Sequence, residues 1–101
     1  MTVNNEMAFK EWFKTHTHDG GKPYESSTRN YYITALRTAS KQFSDLIKPY
    51  KTIFDISDIT EFKRVREEIE LDKAAKEYID VYAHGCLRRC FEIYQDFLEG
   101  N

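Results

Sequence analysis

Proline, glycine and cysteine are scarce in this sequence, with two, four and two residues among 101. No apolar run approaches the roughly 18 residues that a membrane-spanning helix requires. The opening residues also lack the apolar core of a signal peptide, so the expected location is soluble and cytoplasmic. The two cysteines, Cys86 and Cys90, lie four apart, which is no disulfide framework, and both are expected to be reduced. Excess positive charge is missing too. The formal net charge is −2, so no overall positive field advertises nucleic-acid binding. Strand-like alternation, repeats and low-complexity segments are absent. The Gly20-Gly21-Lys22-Pro23 stretch has neither the Lys-Ser/Thr ending nor the preceding strand of a P-loop, which excludes that way of cradling phosphate.

What the chain does have is apolar spacing. With 41% apolar and 15% aromatic residues it can bury one modest core, and residues 1–101 are read as a single domain with residues 1–5 frayed. Tyr32, Leu36, Ala39, Phe43 and Leu46 recur at intervals of four, three, four and three, one stripe of an α-helix. This spacing predicts a helix from about Ser27 to Ile47, capped by Ser26 or Ser27 and ended by Pro49. Opposite the stripe, Asn30, Thr34, Arg37, Lys41 and Lys48 fall within about 60° of arc. Residues 22–48 hold five bases against two acids, whereas residues 55–80 hold nine acids against five bases. The two halves therefore offer faces of opposite sign.

Other helices follow from the same rule. Phe9, Trp12 and Phe13 mark the buried face of a short first helix. Residues 15–23 form a loop in which Gly20-Gly21 permits positive φ. Ile53, Phe54 and Ile56 plug a linker into the core. Asp58 to Glu61 resembles a capping box and opens a helix burying Ile59, Phe62, Val65 and Ile69. A further helix spans Leu71 to Tyr82, Ala83-His84-Gly85 breaks it, and a last helix runs from about Cys86 to Leu98, where Gly100 stops it. The expected architecture is all-α, a single small bundle of four to five helices.

Few residues suggest chemistry of their own. His16, His18, Cys86 and Cys90 are zinc-ligand types at loose spacings, and Cys90 lies on an apolar stripe. Cys86 beside His84 is no catalytic dyad, and the carboxylates Glu67, Glu68, Asp55 and Asp58 sit on helix faces and caps. Neither enzyme activity nor a metal or cofactor is expected. The basic residues are more informative. Arg37 has no acid three or four positions away, and Arg29 has only Glu25. Arg88 and Arg89 open the last helix, where the helix dipole disfavours cations, with Glu92 as their one intrahelical partner. Arginines among Asn, Thr and Ser on an outer helix face are the usual material of phosphate contact.

Larger patterns resemble a known family. Phe9-x-x-Trp12-Phe13, Ser26-x-Thr28-x-x-x-Tyr32-x-x-x-Leu36 and Phe43 resemble the first half of a SAM-like core-binding domain of the phage-integrase, or tyrosine-recombinase, type. Ile56 to Thr60 and the closing Leu87 to Leu98 resemble its second half. The small N-terminal helical module of modification-dependent restriction endonucleases is similar at Phe9 to Phe13, Asn30 to Arg37, Phe54 to Asp58 and Gly85 to Leu98. The resemblance covers residues 7–98 and consists mostly of core positions. Neither the recombinase's catalytic Arg, His and Tyr constellation nor a nuclease motif is present, and Arg88-Arg89 replace the family's small residues.

The resemblance implies a SAM-like, non-catalytic DNA-binding or accessory module of a restriction or recombination system. Duplex DNA would be contacted through a basic helix face, with Lys22, Arg29, Thr34, Arg37, Lys41, Arg88 and Arg89 as candidates. The alternative is a protein-interaction module, a phage or defence-system protein that binds and regulates a nuclease. Its contact face would then include Glu67, Glu68 and Glu70.

Overall fold

Most stretches in which apolar residues recur at three and four coil into helix. The computed structural model describes residues 4–18, 21–81 and 86–100. It comprises α1 (Glu6–Thr15), β1 (Thr17–His18), β2 (Lys22–Pro23), α2 (Ser26–Gln42), a 3-10 turn (Ile53–Asp55), α3 (Ile59–Leu71), α4 (Lys73–Val81) and α5 (Cys86–Leu98). Among the described residues the protein is an all-α bundle of five helices, flattened to 35 × 35 × 19 Å. Among the described residues one strand pairing occurs, the two-residue ladder of β1 and β2, antiparallel with Thr17 opposite Pro23 and His18 opposite Lys22. Gly21, just before β2, has φ +73°, the left-handed region that glycine adopts without steric cost.

The core is aromatic and centres on Tyr94 of α5. Its ring lies 5.1 Å from that of Phe62, 5.3 Å from Phe9 and 5.7 Å from Phe54, mostly edge to face. The helices α1, α3 and α5 and the 3-10 turn therefore converge on one residue. Its phenol, fully buried, donates to the Ile56 carbonyl at 2.8 Å. Burial pushes the phenol well above its usual range. α1 buries Phe9 and Phe13, while Trp12 is only partly covered, against Phe9, Phe97 and the His16 ring.

α2 packs on both α1 and α5. Two details of this helix differ from the expectation. Ser26 and Ser27 lie within its first turn, Glu25 holds the cap position, and no side chain caps the end. The helix also ends at Gln42, five residues before Ile47, so Lys48 leaves its polar stripe. Beyond Gln42 the chain coils in turns. Leu46 N–H and Ile47 N–H both reach the Phe43 carbonyl, at 2.8 and 3.1 Å. Phe43 and Ile47 thus stay buried while the chain swings back.

Ser40 fixes that return. Its buried hydroxyl donates to the Leu36 carbonyl at 2.8 Å and accepts from Ile53 N–H at 2.9 Å. Ile53, Phe54 and Ile56 then enter the core, as their apolar character demands. Asn5 N–H meets the Phe54 carbonyl at 2.7 Å, and the Asn5 amide meets Ser57 Oγ at 2.8 Å. Asn4 Oδ1 also accepts from Glu6 N–H at 2.9 Å, so Asn4 and Asn5 are held rather than frayed, and residues 1–3 of that expectation lie outside the described residues.

Asp58 caps α3 by accepting from Thr60 N–H at 3.1 Å. The second half of the expected capping box does not form, because Glu61 instead accepts from Tyr50 and Arg64, each at 3.0 Å. Phe62, Val65 and Ile69 are buried on α3, and Ala75 and Ile79 on α4. Tyr82 and the expected break at Ala83-His84-Gly85 lie outside the described residues. α5 has the bounds that its stripe predicts, and Gly100 follows at φ +83°.

Candidate functional site

The seven basic and polar candidates separate into distinct places. Arg29 and Arg89 meet at Tyr24. Arg29 Nη1 donates to the Tyr24 carbonyl at 2.6 Å, and Arg89 Nη2 donates to the Tyr24 hydroxyl at 3.0 Å. Arg89 also pairs with Glu92 at 3.1 Å. Both guanidiniums thus fasten the start of α2 and the start of α5 to the loop between β2 and α2. Arg88 lies elsewhere, between Asp80 of α4 at 2.9 Å and Glu70 of α3 at 3.1 Å. These hydrogen bonds, with Asp80 first and Glu70 second, hold its guanidinium above the usual range. Its place beside the helix dipole is thereby explained within the fold, by carboxylates from two other helices. Lys22, on β2, and Thr34, on α2, are exposed.

Arg37 and Lys41 share a concave surface. Both line a cleft of about 520 Å³ between α1, α2 and the segment that follows Pro49. Lys51, Ser44, Thr52 and Glu6 line it as well. Three cations against one carboxylate leave the cleft at +2. Among the described residues, neither Lys41 nor Lys51 has an ion-pair partner.

Arg37 does not stand free, as the spacing on its own helix suggests. Its Nε and Nη2 donate to the two Glu6 oxygens at 2.8 and 2.7 Å, a bidentate pair between α2 and the first residue of α1. The Arg37 hydrogen bond is the main reason that the Glu6 carboxyl titrates below its usual range, against the opposing effect of burial. Half of the Arg37 side chain remains exposed, at 53%. The pair therefore adds only about 0–1 kcal/mol to stability, so another anion can compete for the fork.

Thr52 completes the cleft. Thr52 and Asp55 form a capping box on the 3-10 turn: Asp55 Oδ2 accepts from Thr52 N–H at 3.2 Å, and Asp55 N–H faces the Thr52 hydroxyl while reaching the Thr52 carbonyl at 3.1 Å. Thr52 Oγ1 is buried, and Asp55 N–H is the one group that approaches it among the described residues.

The acidic candidates are also drawn into the fold. Glu68 pairs with Arg64 at 2.9 Å, and Glu70 with Arg88. Glu67 is exposed. Among the described residues, the sulfur and imidazole side chains form no metal-holding group. Cys90 is buried in the core, where burial first and Cys86 second push its thiol up. Burial, with the two thiols beside it, pushes the Tyr32 phenol up to about 12. His16 stacks on Trp12 with ring centroids 4.3 Å apart, and the His18 side chain lies outside the described residues. Among the described residues no three His, Cys, Asp or Glu side chains are placed to hold a metal ion, and no helix is long and apolar enough to cross a membrane.

Lys51, Thr52 and Glu6 were not legible as site residues. Lys51 and Thr52 belong to a linker whose path is set by the Ser40 bond, and Glu6 reaches Arg37 across thirty-one positions. Comparison with family models, with curated proteins and with solved structures finds no match to this chain.

Proposed function

We propose that this chain is a non-catalytic DNA-binding module, an accessory part of a restriction or recombination system, that takes duplex phosphates on the outer side of α2. One observation carries the reading. Arg37, Lys41 and Lys51 come from two separate segments and converge on one cleft with net positive charge, in a protein whose overall charge is −2. Lysine and arginine placed this way neutralise phosphates and release counterions. Exposed Lys22 and Thr34 extend the contact, whereas Arg29, Arg88 and Arg89 serve mainly to hold elements together.

The test is fluorescence anisotropy of a labelled random-sequence duplex at low and moderate salt. Binding that weakens steeply with salt supports the reading. No binding even at low salt removes it.

A second reading is a protein-interaction module that regulates a nuclease. It is favoured by Leu71, the last residue of α3, and Val81, the last residue of α4, with 79% and 77% of their surfaces exposed. Glu67 stands one turn before Leu71 on α3. An interface centred on apolar residues responds little to salt, so the same titration with a captured partner separates the two.

A further inference from the structure

Duplex DNA presents its phosphates along convex ridges, and each phosphodiester carries a single charge. The cleft of α2 is concave. Lys41 and Lys51 can meet a continuous backbone at its rim, but the interior fits a group that projects from a chain end. A phosphate monoester projects in this way. It carries about −1.5 to −2 charges at about pH 7 and has three acceptor oxygens. The cleft's +2 balance matches that charge, and its volume of about 520 Å³ falls in the range of small-ligand pockets.

A further feature fits the same group. Glu6 offers the Arg37 fork two oxygens in the bidentate geometry that a phosphate also presents. A phosphate can therefore take the place of the Glu6 carboxylate by exchange, and the cleft then faces it with three cations.

We propose that this cleft is a seat for a phosphate monoester, either the terminal phosphate of a DNA end or the phosphate of a free nucleotide. The first source rests on the DNA-binding reading and the second does not. The test compares two duplexes of one sequence by anisotropy at low salt, one ending in a phosphate and one in a hydroxyl. In parallel, a nucleoside monophosphate and its nucleoside are titrated by calorimetry. Both are repeated with Lys51→Gln, whose circular dichroism is checked against the wild type.

The expected result is about tenfold tighter binding of the phosphorylated duplex, from new charge-assisted hydrogen bonds, with the preference lost in Lys51→Gln. Binding of the monophosphate alone, and of neither duplex, supports the seat while removing the DNA-binding reading. Equal binding of the two duplexes, with no monophosphate binding, overturns the seat and leaves the DNA-binding reading standing. A phosphate preference that survives in Lys51→Gln also overturns it. No binding of any probe removes both.

Discussion

The Tyr94 hydroxyl donates to the Ile56 carbonyl across thirty-eight positions, and it ties α5 to the chain just before α3. Tyr94→Phe keeps the ring and its aromatic neighbours but orphans a buried carbonyl. It is expected to cost about 1–3 kcal/mol in urea unfolding, with the helical content unchanged. A loss below about 0.5 kcal/mol would show that the carbonyl finds water instead.

Trp12→Ala should cost about 2–3 kcal/mol, less than the 3–5 of a fully buried aromatic, because Trp12 is only partly covered. Denaturant midpoints measure this directly.

Replacing Arg37 and Lys41 together by Gln should weaken duplex binding by about one to two orders of magnitude at low salt. The slope of log affinity against log salt should flatten by about one to two units. Stability should fall by no more than about 1 kcal/mol, since the lost Glu6 pair is half exposed. An unchanged salt slope would place the phosphate contacts elsewhere.

Arg88→Ala is expected to behave differently. It should lower stability by about 1 kcal/mol, because Glu70 and Asp80 lose a shared partner on an interface between three helices. Duplex affinity should stay at the wild-type value. A fall in affinity at unchanged stability would return Arg88 to the DNA contact.

The Glu6–Arg37 pair also sets a pH dependence. Arg37 lowers the Glu6 carboxyl from its ordinary value of 4.5, so the folded state holds its proton less tightly than the unfolded one. The stability it contributes is therefore complete above 4.5 and is lost as pH falls through the lower, folded value. Unfolding of wild type and Glu6→Gln, followed from about pH 6 to about pH 3, should give curves that converge on the acid side. Parallel curves would mean that Glu6 is unpaired in solution.

These residues show which features a sequence reveals. α5 was legible to the residue because Leu87, Cys90, Phe91 and Tyr94 all face one side of an unbroken helix. The end of α2 was not. Phe43, Leu46 and Ile47 keep helical spacing, yet a series of turns buries Phe43 and Ile47 and partly covers Leu46. Ion pairs followed the same division. The Arg89–Glu92 pair obeys the three-residue rule and could be foreseen, whereas Arg37–Glu6 and Arg88–Glu70 join different helices and no local spacing encodes them. Half of the cleft was visible for the same reason, since Arg37 and Lys41 share a helix face, while Lys51 and Thr52 arrive by the path of the chain.

Ser40 has a consequence for the cleft beyond its own two hydrogen bonds. It sits on the buried side of α2, yet its hydroxyl holds Ile53 N–H and so anchors the segment carrying Lys51 and Thr52. Segments that order only on binding give up conformational freedom at that moment, which weakens capture. Here the backbone beside the cleft is already held by the core, so its ordering cost falls on folding, and a ligand meets a preorganised wall.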